Sequence, residues 1–283
     1  MAAGEFAEKE KGTVMRKVII SLAPVEAGKA IDQSALVEDV VKSARAGAAM
    51  CHLHCRRKDG SLTDDTAELE DTFERIAQET DLIIQASTGG VSEMSIEQRC
   101  RPLMCRRVES ASLNGGSTNL GEAVYINSLE DIRYCAGAVY DRGIIPEIEV
   151  FDIGMIYNIR MTREQVPYRE PMLYNLVFGH KGGMQPDMEC LTAFCAAVPR
   201  DALWGVTHYG RDNWDFLAAA IAMGASVVRI GFEDSRHLAP GKQAEYNYQE
   251  VEKLAALIGA MDLEVATPAQ ARQIMHILPG KRQ

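Results

Sequence analysis

A (β/α)8 TIM barrel is the fold the sequence predicts, and three observations carry that expectation. Short apolar runs rich in β-branched residues alternate with amphipathic segments, the pattern of parallel βαβ units. Eight such strand-then-helix units follow one another between residues 17 and 277, with no low-complexity stretch or linker. Residue types suited to chemistry fall at or just after the strands, whose ends gather on one face of a barrel. An open doubly wound sheet is the alternative; the Gly-x-Gly-x-x-Gly turn that it needs after the first strand is absent.

The units run in order. Residues 17–23 (KVIISLA) form a buried strand that Pro24 stops. Ser34 is the expected N-cap of a helix with Leu36, Val37, Val40, Val41 and Ala44 at helical spacing, and Gly47 ends it. The second strand runs into His52-Leu53-His54, and residues 64–79 are an amphipathic helix through Leu69, Phe73 and Ile76. Residues 81–86 (DLIIQA) and 108–113 (VESASL) are the third and fourth strands, with a helix over 95–106 between them. Residues 128–142 are helical, 144–150 (IIPEIEV) a strand, and 152–162 a helix. Strands at 172–178, 202–207 and 226–230 complete the eight, separated by helices at 187–197 and 213–223. Helices at 245–261 and 268–277 close the chain. Residues 1–14 are expected to be a flexible tail and 15–283 one catalytic barrel domain.

Composition narrows the function. The 283 residues carry a formal charge of -10 and a pI of about 5.2, which argues against a nucleic-acid or anionic-membrane partner. There is no apolar run long enough for a transmembrane helix, and the charged N-terminus has no secretory h-region. Seven scattered cysteines suit reduced thiols and a cytoplasmic location.

The chemical residues cluster in type. Residues i and i+2 of a strand share a face, so His52 and His54 project together. That stretch alone fits either two ligands of a metal or two satisfied strand-end histidines. Barrel closure sets the eighth strand beside the first, which brings Glu233 within reach as a third ligand. Three protein ligands with an open position is the usual arrangement of catalytic zinc. Cys51 and Cys55 face away from the histidines or lie beyond the strand. Arg229, inside the apolar run SVVRI, needs a buried partner; Asp234 is the obvious one, and their pairing would hold a carboxylate ready to act as a general base. Glu149 stands similarly at the end of the fifth strand. The turns Ser87-Thr88-Gly89-Gly90, Asn114-Gly115-Gly116-Ser117 and Lys181-Gly182-Gly183 expose backbone N–H groups that suit anions. Lys181, Arg211 and Arg106 or Arg107 add positive charge there. His180 and His208 read as structural or loop residues.

Together these segments resemble the β-keto acid cleavage enzyme family. The resemblance rests on His-Leu-His-x-Arg at the second strand, Ser-Thr-Gly-Gly at the third, Ala-Ser-Leu-Asn at the fourth and Pro-Glu-Ile-Glu-Val at the fifth. The Gly-His-Lys-Gly-Gly-Met and Tyr-Gly-Arg turns and Arg-Ile-Gly-Phe-Glu-Asp complete it, over about residues 17–277. It implies a zinc-dependent barrel (zinc or another divalent transition metal), commonly a homotetramer. Such enzymes condense a β-keto acid with acetyl-CoA, releasing acetoacetate and a new acyl-CoA. On that resemblance His52, His54 and Glu233 hold the metal, and Asp234 paired with Arg229 is the base. Ser87, Ser112 and Glu149 contact substrate, with Thr88, Gly89, Gly90, Asn114, Gly182, Gly183 and Arg211 as further binding residues. The first loop, Pro24-Val25-Glu26-Ala27-Gly28, departs from the family pattern, and Glu26 reads as solvated or as facing a cationic substrate group. A CoA-independent metal-dependent C–C lyase of aldolase type is the rival reading. A non-catalytic metal-binding barrel is a third, disfavoured because it needs no paired base.

Overall fold

The computed structural model describes residues 15–91 and 93–277, so the expected tail at 1–14 lies outside the described residues. Eight parallel strands form a closed sheet: β1 (Lys17–Leu22), β2 (Met50–Leu53), β3 (Ile83–Ala86), β4 (Val108–Asn114), β5 (Ile145–Val150), β6 (Leu173–Phe178), β7 (Leu203–His208) and β8 (Val227–Ile230). Closure is made by β8 pairing with β1, with Ile19 opposite Val227 and Ser21 opposite Arg229. The barrel expected from the strand count is therefore present.

Helices cover the outside: α1 (Gln33–Ala46), α2 (Ala67–Glu79), α3 (Ile96–Arg99), α4 (Leu129–Arg142), α5 (Ile153–Arg163), α6 (Met188–Ala197), α7 (Asp215–Ala222), α8 (Asn247–Ala260) and α9 (Pro268–Ile274). Their apolar faces meet the outward residues of the strands in one large core that includes Phe73, Ile84, Ile148, Tyr174, Leu217 and Leu254. A smaller core sits at the N-terminal ends of the strands. There Ala271 and Met275, from α9 and its end, close over Ile19, Met50, Ile83, Ile145, Leu173 and Val227.

Two local expectations change, and two hairpins are added. Asp32, not Ser34, caps α1: its carboxylate accepts from the backbone N–H groups of Ser34 and Ala35 at 3.0 and 3.1 Å. The helix expected over 95–106 splits into α3 and a 3-10 turn at Arg101–Met104, where Pro102 supplies no N–H to continue an α-helix. Two hairpins join the strand-end loops, Thr118–Leu120 with Ala123–Tyr125 and His237–Ala239 with Lys242–Gln243. Their strands are too short for a legible period.

The barrel interior is polar toward its C-terminal end. Ser21, His52, Gln85, Ser110, Ser112, Glu147, Asn175, Thr207 and Arg229 are all at most 5 % exposed. Strand alternation places each of them inward while Val, Ile and Leu neighbours face the helices.

Candidate active site and metal centre

Above this polar layer opens a cavity of about 380 Å³, lined by His54, Arg56, Gly89, Gly90, Glu149, Arg229, Glu233 and Asp234 among others. Its apolar walls come from Leu62, Leu120, Tyr125, Phe151 and Val177.

His52 lies on β2 and His54 just beyond it, their rings 5.2 Å apart. Glu233 follows β8 across the closure. One ligand atom from each of the three lies within 4.8 Å of the other two. The Nδ1 atom of each ring faces an acceptor. His54 Nδ1 stands 3.2 Å from the Gly89 carbonyl oxygen, which can only accept, so Nδ1 carries the proton. His52 Nδ1 stands 2.6 Å from Gln85 Oε1, again an acceptor. His52 Nε2 is then a bare lone pair, buried with no partner, while His54 Nε2 lies 3.3 Å from Glu233 Oε1, itself an acceptor. Burial works to raise the Glu233 carboxyl, but His54 and Arg229 beside it hold it well below the usual carboxylate range. Burial also lowers His52 to about 3, so it stays neutral. Two imidazoles and an ionised carboxylate converging on one point are placed to hold a cation, and the N,N,O donor set fits a divalent transition metal.

Arg229 governs the remaining charge. Its Nε and Nη2 donate to Asp234 Oδ2 and Oδ1 at 3.0 and 2.7 Å, a bidentate pair. Nη1 donates to Glu149 Oε1 at 3.0 Å, and Nη2 also reaches Glu233 Oε1 at 3.4 Å. Burial raises the Asp234 carboxyl in spite of Arg229, which makes it a better proton acceptor than an exposed carboxylate. Burial pushes Glu149 up to about 7 against the same arginine, so it can exchange a proton near neutrality.

The hydroxyls adjoin His54. Ser87 Oγ is 3.3 Å from His54 Nε2 and 3.5 Å from Ser112 Oγ. Thr88 is tied to Ser112 twice, through its N–H to Oγ at 3.1 Å and its hydroxyl to the carbonyl at 2.8 Å. Asn114 Oδ1 accepts from Gly116 N–H, which leaves the buried Nδ2 without an acceptor.

Not every expected substrate-binding residue lines the cavity: Ser87, Thr88, Ser112 and Asn114 lie behind its wall, and others point elsewhere. Arg211 is fully buried at the side-chain level and forms an ion pair with Glu250 of α8 at 3.1 Å; it also stacks on Trp214. Its charge is therefore spent inside the fold. Gly182 and Gly183 shape a turn against Asn119 and Phe151 and do not line the cavity, while Lys181 points out and lies 3.9 Å from Glu122. Arg106 and Arg107 pair with Glu74 on the outer surface. Glu26 pairs with Arg236 at 2.9 Å. Cys51 and Cys55 belong to the outer core, with thiols pushed up to about 12 by burial. His208 is buried against Phe216. His180, read from sequence as structural, lines the cavity and stacks on Tyr209 with centroids 3.9 Å apart.

Three contributors were given no role from sequence, although Arg56 closes the His-Leu-His-x-Arg motif. Tyr125 comes from the Thr118–Tyr125 hairpin, whose signal was lost with the hairpin. Arg56 lines the cavity with Nε buried and unpartnered and Nη1 on the Gly60 carbonyl; among the described residues no carboxylate pairs with it. Gln85 was legible as a polar residue in the apolar run DLIIQA.

A model of the beta-keto acid cleavage enzyme family matches residues 30–277 of this chain. The chain belongs to that family. It is 35% identical over 248 residues to a 3-keto-5-aminohexanoate cleavage enzyme of Fusobacterium nucleatum, covering 85% of this chain and 89% of the relative. To a 3,5-dioxohexanoate:acetyl-CoA acetone transferase of Paraburkholderia graminis it is 30% identical, covering 93% and 96%. Among solved structures, apo ObcA superposes with a TM-score of 0.74 at 17% identity, covering 88% of this chain and 65% of ObcA. That likeness shows the barrel alone.

Proposed function

We propose that this member of the beta-keto acid cleavage enzyme family transfers the acyl part of a β-keto acid to coenzyme A, with acetyl-CoA as co-substrate and acetoacetate as the second product. The observation that carries the reading is that one cavity is lined by His54 and Glu233, which close a triangle with the buried His52 beneath, and by the Arg229–Asp234 pair. The family match and the two acetyl-CoA and keto-acid relatives support it.

His52, His54 and Glu233 would hold the metal, which we take as zinc or a neighbouring divalent transition metal. When bound, it supplies Lewis-acid polarisation of the substrate's carbonyl oxygen. Asp234 takes a proton from C2 of the β-keto acid, and Arg229 fixes the carboxylate's orientation for that step. The C2 electron pair forms a new C–C bond to the acetyl carbonyl and displaces the CoA thiolate. The thiolate then adds to the original ketone carbon. The old C2–C3 bond breaks, leaving acyl-CoA and, after protonation, acetoacetate. The hydroxyls of Ser87 and Ser112 and the Asn114 Nδ2 would steady the oxyanions. Gly89 and Gly90 shape the wall, with Thr88 tied to Ser112 behind it.

The same reading extends to the whole protein. We take it to be one barrel domain in a homotetramer, as the family resemblance implies. Seven free thiols and an acidic surface support a cytoplasmic location. Among the described residues no helix is long and apolar enough to cross a membrane.

The test is direct. Purified protein loaded with zinc should form acetoacetate and a new acyl-CoA mass from a panel of β-keto acids only when acetyl-CoA is present. Equal turnover without acetyl-CoA would overturn the reading in favour of a CoA-independent lyase.

A further inference from the structure

Beneath the cavity runs a buried chain of hydrogen bonds that ends on His52. Its far end is Thr207 on β7, whose hydroxyl donates to Asn175 Oδ1 on β6 at 3.0 Å. That contact turns Asn175 Nδ2 toward Glu147 Oε1 on β5, at 2.7 Å. The other oxygen of Glu147 accepts from Gln85 Nε2 on β3 at 2.8 Å. Gln85 Nε2 also donates to Ser110 Oγ at 3.1 Å, and the Ser110 hydroxyl proton is itself spent on the Ile145 carbonyl at 2.9 Å. All five side chains are at most 2 % exposed, so water does not substitute for any of these partners.

The donors and acceptors fix one arrangement. Burial raises the Glu147 carboxyl, but both groups facing it are amide N–H donors, a geometry that favours the ionised carboxylate. Gln85 faces two acceptors, Glu147 and Ser110, so its nitrogen must point to them and its oxygen to His52. Turning the amide over would set Oε1 against a carboxylate oxygen and a hydroxyl lone pair, with no donor between them. The Gln85 oxygen then demands a proton on His52 Nδ1. That leaves Nε2 as a lone pair facing Glu233 and His54.

We infer that Gln85 and Glu147 are positioning residues that hold His52 in its Nδ1–H tautomer and thereby prepare Nε2 to bind the metal. The inference rests on the metal reading above. A ligating histidine commonly has its second nitrogen tied to a carboxylate or carbonyl, at a cost of about 10- to 100-fold in metal affinity when the tie is lost. Here the tie is an amide relayed from a carboxylate, and it reaches across the barrel interior from β7 to β2.

The test uses the full chain. In metal-free protein, two-bond 1H–15N correlation of histidine side chains should show His52 protonated at Nδ1, its signal assigned by its loss in His52→Gln. Gln85→Met removes the acceptor; His52 should shift toward the Nε2–H form, and zinc affinity measured against a chromophoric chelator should fall about 10- to 100-fold. The exchange Gln85→Glu with Glu147→Gln reverses the pair while keeping one amide, one carboxylate and an acceptor for His52. It should restore the Nδ1–H tautomer and bring zinc affinity back to within a few-fold of the parent. An unchanged tautomer and affinity in Gln85→Met would overturn the inference. So would a folded exchange variant with His52 in the Nε2–H form, which decides the matter if Gln85→Met fails to fold. Neither readout uses turnover, so failure of the acetyl-CoA assay and failure of this inference remain distinguishable.

Discussion

Arg229 makes hydrogen bonds to three carboxylates at once, and the division of labour in the site follows from that. A buried guanidinium with one carboxylate would be neutralised; with three it leaves negative charge over for a metal ion and for proton transfer. Its pairing with Asp234 was legible, because an arginine in an apolar strand has to find a partner. Glu149 was legible as a site residue, but its bond to Arg229 was not. The positions that failed are as instructive. Arg211 follows a strand and looks like a substrate cation, yet Glu250, from a distant helix, claims it. Nothing local in either segment announces that pairing. Asp234→Asn keeps the shape and leaves Arg229 with Glu149 and Glu233, so folding and zinc affinity should persist. Turnover should fall by about 10²- to 10⁴-fold, the range for losing a general base. Steady-state kinetics beside a zinc titration would check this, and full activity would remove Asp234 from the base role.

At the scale of elements, strands and long helices were readable from apolar periodicity, and the hairpins and the 3-10 turn were not. Helix α8 shows why packing outruns sequence. Its first residue, Asn247, accepts the Phe232 N–H through Oδ1 at 3.0 Å and donates to the Pro24 carbonyl at 3.2 Å. The loop that carries Glu233 is thus clamped to the end of β1. Gly231 permits that loop, since its φ of +130° and the Ala23 carbonyl 2.3 Å from where a Cβ would sit exclude a side chain. Glu250, on the same helix, is raised to about 7 chiefly by burial, with Arg211 opposing. The native state therefore keeps a proton that the unfolded chain releases above its ordinary carboxylate pKa, and stability from this group declines as pH rises from about 4.5 to about 7. Glu250→Gln should remove that decline. Urea unfolding at pH 5 and pH 8 should show the variant gaining on the parent at the higher pH, by an amount on the order of a few kcal/mol. A difference between the two proteins that does not change with pH would contradict the assignment.

For the whole molecule, counting strand-helix units was enough to reach the barrel, because eight parallel units of this length have few other ways to bury both faces of the sheet. What the count could not show is how the two ends differ. The C-terminal end holds charge and an open cavity; the N-terminal end is stoppered by α9, with Met275 fully buried. The ends should then be separable by substitution. Met275→Ala should cost about 2–5 kcal/mol of stability, the usual range for truncating a buried methionine, while zinc affinity stays at the parent value. Chemical denaturation and a zinc titration would measure both, and a loss of zinc affinity in step with stability would show that the ends are coupled.

The polar layer that spans β2 to β8 carries a consequence for how such a protein can diversify. Gln85, Glu147, Asn175 and Thr207 each satisfy the next, so a change at one leaves a neighbour with an unmet donor or acceptor in a place that water does not reach. The floor can alter only by compensated exchanges. The cavity walls supplied by Leu62, Leu120, Tyr125 and His180 are under no such reciprocal constraint. A new keto acid is therefore most readily accommodated from above, by redrawing loops over a floor that must move as a set or stay as it is.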